Sequence, residues 1–170
     1  LFQLADAQYD QTENDYLKAN ERYAAAFESG DDPGESPIAD YNTPIRTHER
    51  LIREFPQSDF VDQSLFQLGH LLNEQGELER SNRMFERLVS EHPESPLVAD
   101  AYLRIGDFYF DALFLGLTSL GGEEMMRRAI NAYDHVLDHP SNKNFQSALY
   151  KLGWSYYNLA APEERDQYYD

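Results

Sequence analysis

A short phrase returns three times along this chain and dictates how it can be built. It reads Ser64-Leu65-Phe66-Gln67-Leu68-Gly69-His70, then Ala101-Tyr102-Leu103-Arg104-Ile105-Gly106-Asp107, then Ala148-Leu149-Tyr150-Lys151-Leu152-Gly153-Trp154. Each time a large apolar residue, a spacer and an aliphatic residue precede a glycine. The opening Leu1-Phe2-Gln3-Leu4-Ala5-Asp6 echoes the phrase with Ala5 in the glycine position. A second phrase alternates with the first, ending at Phe55-Pro56, His92-Pro93 and His139-Pro140, each followed within two residues by a serine (Ser58, Ser95, Ser141). Self-similarity of this kind marks a repeat architecture, in which a unit buries its apolar face only by stacking on its neighbours.

The local physics is helical. Phe66, Gly69 and Asn73 fall at i, i+3, i+7, one face of an α-helix. A glycine inside a helix costs about 1 kcal/mol relative to alanine, so its return at one position predicts a second helix packed too closely for a side chain. Proline stops each second helix, and the serine after it is expected to N-cap the next. The clearest unit predicts helices near 60–74 and 78–91, joined by the turn Gln75-Gly76-Glu77. The expected fold class is all-α, a solenoid of antiparallel helix pairs. Its expected divisions are a divergent repeat over 1–57 with a loop insertion at 29–40, a repeat over 58–94, a repeat over 95–140 with an apolar insertion at 112–122, and an incomplete repeat over 141–170. In the last, the helix carrying Trp154 calls for a covering helix from near Pro162 and Glu163, of which the chain holds a stub, so this repeat is expected to fray or to pack on another molecule.

Composition narrows the partners. The 170 residues hold 31 acidic side chains against 14 Lys and Arg, a net charge of −17, which repels phosphate backbones and anionic lipid. No nucleic-acid partner is expected, and no direct membrane insertion, since the apolar run near Ala112 to Leu117 is far too short to span a bilayer. The absence of cysteine removes disulfides, thiolate metal sites and a thiol nucleophile. His135 and His139 lie at i, i+4 beside Asp134 and Asp138, a spacing open to a divalent metal. A helix-end role is favoured, because His139-Pro140 repeats the place of His92-Pro93, where a His meets the C-terminal helix dipole. No phosphate loop, nucleophile elbow or metalloprotease motif occurs. The chain is read as no enzyme, with no cofactor and no metal.

From Asp62 to Ser95, with Gly69, Ser81, Phe85 and Pro93 at the expected intervals, the sequence resembles the tetratricopeptide repeat family. Gly106, Ala129, Tyr133 and Pro140 continue the likeness across an insertion of about eleven residues. The resemblance implies a right-handed superhelix whose first helices line a binding groove. The groove positions it implies are Phe66, His70, Asn73 and Glu74, then Leu103, Asp107, Phe110 and Asp111, then Tyr150, Trp154 and Tyr157, with Gln63, Asp100, Ser147 and Asn158 beside them. Family members that grip an acidic C-terminal peptide use a Lys/Asn/Arg clamp there, which is missing here. Aromatics beside carboxylates imply a protein or peptide partner with apolar and basic residues. The wording Pro-x-Ser and Ala148 to Trp154 also resembles repeat proteins of Gram-negative envelopes: outer-membrane assembly lipoproteins, Tol-associated and gliding-motility proteins. The resulting expectation is a scaffold in a multi-protein assembly, periplasmic or outer-membrane associated. A cytoplasmic adaptor or co-chaperone, or the regulatory arm of a larger enzyme, are the alternatives.

Overall fold

Residues 1–115 and 121–160 are described by the computed structural model, apart from the side chains of residues 113 and 114. Among the described residues there are seven helices and no strand: α1 (Phe2–Ser29), α2 (Asn42–Glu54), α3 (Val61–Glu74), α4 (Leu78–Glu91), α5 (Val98–Leu115), α6 (Gly122–Leu137) and α7 (Phe145–Leu159). The chain divides into two units, Leu1–Gly76 and Glu77–Asp170. In the first, α2 packs on α1 and α3; in the second, α5 packs on α4 and α6, and α6 on α7. Within each unit, sequence neighbours pack on each other in turn, consistent with a TPR-like helical solenoid.

Helix limits follow the punctuation in the chain. No Gly or Pro interrupts α1, which stops where Gly30 adopts a left-handed φ of 81° and the Asp31 N–H returns to the Ala26 carbonyl at 3.0 Å. Gly76, at φ 75°, makes the tight turn that ends α3. The serines do not cap as expected. The N-cap residue of α3 is Phe60, with no side-chain cap bond. Ser58 and Ser95 sit earlier in the connection, where their hydroxyls accept the N–H groups of Phe60 (3.3 Å) and Leu97 (3.2 Å). In the third connection Asn142, one residue after Ser141, accepts the Asn144 N–H at 2.7 Å. Each side chain therefore shapes a turn two residues long, rather than satisfying the helix start itself.

The core of the first unit is Ile45, His48, Leu51 and Ile52 of α2 with Val61, Leu65, Leu68 and Leu72 of α3. That of the second is Phe85, Leu88, Ala101, Ile105, Met126, Tyr133 and Val136. Burial of each large side chain contributes about 1.5–3 kcal/mol. Residues 116–120, the middle of the apolar insertion at 112–122, lie outside the described residues, as do 161–170 with the covering stub. Gly121 is the N-cap residue of α6. No described helix is long and apolar enough to cross a membrane.

Candidate functional site

The close glycine packing is realised at α5 but not at α7, where a Cβ on Gly153 would meet nothing within 4 Å. A Cβ on Gly106 would lie 2.6 Å from Cδ1 of Tyr133, whose ring is fully buried on α6. The Tyr133 hydroxyl donates to Asp107 Oδ1 at 3.0 Å, and the same oxygen takes the Lys151 ammonium of α7 at 2.5 Å. Arg104 approaches the other oxygen at 3.7 Å. Burial, and then the Asp107 charge, push the Tyr133 phenol well above its ordinary range. One helical turn on, burial and then Asp107 raise the Asp111 carboxyl, against the opposing pull of Lys151. Asp100 is spent in the same way: its Oδ1 accepts the side-chain amides of Asn142 (3.0 Å) and Asn144 (2.8 Å), with Lys143 3.7 Å from Oδ2.

These contacts change what the predicted groove offers. Asp107 is a tie between α5, α6 and α7, not a carboxylate awaiting a ligand. Leu103 is 5% exposed and belongs to the core rather than to a binding surface. Phe110 is half-buried. In the first unit Phe66 and His70 meet edge to face at 4.7 Å, with Asn73 and Glu74 exposed at the end of α3.

Of the predicted groove positions, those on α7 form an open aromatic surface. Trp154 stands edge-on between Tyr150, centroid to centroid 6.3 Å, and Tyr157, 5.6 Å away. Their exposures are 68% for Tyr150, 45% for Trp154 and 39% for Tyr157. With Leu149 and Gly153 they line an open hollow of about 490 Å³. Spacings of three and four residues put the three rings on one stripe, and Ala148, Leu152 and Ser155 are buried on the opposite side of the helix.

Two clusters escaped the sequence reading. Tyr109 donates to Glu86 at 2.9 Å and receives Arg128 at 3.1 Å, tying α4, α5 and α6. In the first unit Tyr41 stacks on Tyr9 at 5.8 Å and donates to Glu13. Burial first, then Glu13, holds the Tyr41 phenol above its usual range. A second apolar hollow of about 390 Å³ lies between Leu1, Phe2, Leu51, Phe55 and Phe60. No group of three or more metal-ligating side chains occurs among the described residues. The His135 ring stacks on Tyr102 at 4.3 Å, a packing contact between α5 and α6.

Helices packed on their sequence neighbours within each unit, with an exposed aromatic stripe and carboxylates such as Asp107 and Asp100 tied into the scaffold, define a helical-repeat protein. Residues 63–95 match the family model of the tetratricopeptide repeat, so the chain carries a repeat of the kind that binds proteins or peptides. No curated protein sequence matches the chain.

Proposed function

We propose that the protein is a non-catalytic scaffold that holds a protein partner in a multi-protein assembly, and that the α7 aromatic stripe is its main contact. The observation that carries this reading is the exposure of Tyr150, Trp154 and Tyr157 around one hollow. Exposed rings clustered in this way supply large contact area at low entropy cost. The preferred partner is an apolar segment with basic residues, drawn by the net charge of −17 and, within the same unit as the stripe, by Asp111. Asp107 contributes little to that choice, because Lys151 and Tyr133 already neutralise and bind it. The setting we propose is the periplasmic side of a Gram-negative envelope, supported by the wording of the Ala148 to Trp154 segment.

The experiment replaces Trp154 and Tyr157 by Ala and measures recovery of partners from an envelope extract beside the thermal melt. Loss of a partner with an unchanged melt supports the stripe. Full recovery sinks it, and a partner found only in the cytoplasmic fraction sinks the envelope setting.

A further inference from the structure

The first unit holds a tyrosine–glutamate pair of a kind that the second unit completes with an arginine. In the second, Tyr109 donates to Glu86 at 2.9 Å. Arg128 closes that pair, donating to the Tyr109 oxygen at 3.1 Å with its guanidinium over the ring, 5.3 Å from the centroid. In the first, Tyr41 donates to Glu13, and Tyr9 stacks on Tyr41 with the ring planes 18° apart. Tyr41 is 8% exposed and Tyr9 41%, so Tyr41 is the inner ring and Tyr9 turns its other face to solvent. Gln75 donates to the Ala39 carbonyl at 2.9 Å, which fixes the end of α3, with the exposed Glu74, beside this pair. Burial, and then the charges of Glu13, Glu74 and Asp10, raise the Tyr9 phenol. Among the described residues Glu74 and Asp10 make no ion pair or side-chain hydrogen bond, and no Lys or Arg pairs with Glu13.

We infer that the open face of Tyr9 is a docking surface for an arginine side chain of a partner protein, its guanidinium flat on the ring and its N–H groups directed to Glu74. Shape and charge choose this occupant together. The ring offers a flat π face that a planar guanidinium covers, and the carboxylates at its rim supply acceptors for the N–H fork. An anion would be repelled by Glu13, Glu74 and Asp10, and a neutral apolar group would cover them without pairing them. A lysine ammonium would meet one carboxylate as a point charge and leave most of the ring bare. The carboxylates alone would take any cation and the ring alone any flat group; side by side they favour arginine. All of these residues belong to Leu1–Gly76, so the surface is distinct from the α7 stripe.

The test titrates the whole chain at low salt with N-acetyl-arginine amide, its neutral citrulline analogue and N-acetyl-lysine amide, following the NMR ring-proton shifts of Tyr9. The arginine probe should shift Tyr9 saturably and bind about threefold more tightly than the lysine probe, with citrulline weaker still. Glu74→Gln, on an exposed side chain that holds nothing else in the fold, should weaken arginine binding by about threefold. Tyr9→Leu, read on the Tyr41 ring, should weaken it at least as much. Asp15→Asn removes the same charge from another face of α1 and should leave binding unchanged. The absence of a saturable shift overturns the inference, as does equal binding of arginine and citrulline, or tighter binding of lysine. So does a loss with Asp15→Asn as large as that with Glu74→Gln, since attraction to the net charge alone would give it. Tyr150, Trp154 and Tyr157 play no part in these readouts, so they stand or fall apart from the binding role of the α7 stripe.

Discussion

Lys151 Nζ lies 2.5 Å from Asp107 Oδ1, joining α7 to α5. The side chains are 35% and 19% exposed, against 61% and 70% for the surface pair Arg127–Glu123. Water and salt screen the Asp107 pair less, and Asp107 also holds the Tyr133 hydroxyl. Asp107→Asn is expected to cost about 1–2 kcal/mol in urea unfolding. A double-mutant cycle with Lys151→Met should give a coupling above the roughly 0.3–0.5 kcal/mol of an exposed i,i+4 pair such as Arg127–Glu123. Equal couplings would mean that the contact is only a surface pair.

Gly106→Ala should destabilise, although alanine is the better helix former. Tyr133 is fully buried, and its ring lies within 3.0 Å of where the new methyl would stand, so it has no solvent into which to yield. Overpacking of this kind costs about 1–3 kcal/mol, more than the propensity gain of about 1 kcal/mol. A thermal melt with a raised Tm would show that α6 can slide away from α5 at little cost.

The contrast between Gly106 and Gly153 shows how far the residues could be read without coordinates. The limits of α3 and α4 were legible because Gly76 and Pro93 punctuate a strongly periodic pattern, and the close approach at Gly106 followed from the recurrence of the glycine. The serine caps were misjudged, since whether Ser58 holds a turn or a helix start depends on two residues of backbone that periodicity does not report. Asp107 looked like a ligand carboxylate because its partners, Tyr133 and Lys151, are 26 and 44 residues away. The Tyr41–Glu13 contact spans 28 residues and left no local trace. Charge at a groove position is visible in a sequence; its neutralisation across the fold is not.

His48 makes the stability pH-dependent below neutrality. Its side chain is 2% exposed, packs edge-on to Phe2 at 5.9 Å, and its Nδ1 has no hydrogen-bond partner among the described residues. Burial lowers its pKa from 6.5 to about 4. The unfolded chain therefore binds a proton that the native state refuses, and stability falls as pH drops from about 6.5 towards 4, levelling below. The loss is on the order of 3 kcal/mol. Urea midpoints of the wild type and His48→Leu, compared between pH 7 and pH 4, should diverge on the acid side. Parallel profiles would show that His48 is hydrated in the native state.

The alkaline limb belongs to Tyr133. Burial and the neighbouring Asp107 raise its phenol above the usual range, so the native state keeps the proton that the unfolded chain releases near pH 10. Its contribution is intact below that pH and is lost as pH rises, because the unfolded state then binds fewer protons. Tyr133→Phe keeps the ring over Gly106 but removes the hydroxyl from Asp107. It is expected to cost about 1 kcal/mol at pH 7 and to flatten the decline of stability above pH 10. Phenolate absorbance after a jump to high pH offers a direct check. The Tyr133 phenolate should appear at the rate of unfolding, after the mixing time. If Tyr133→Phe removes amplitude from the fast phase instead, the hydroxyl is open to water and its bond to Asp107 does not hold α6 to α5.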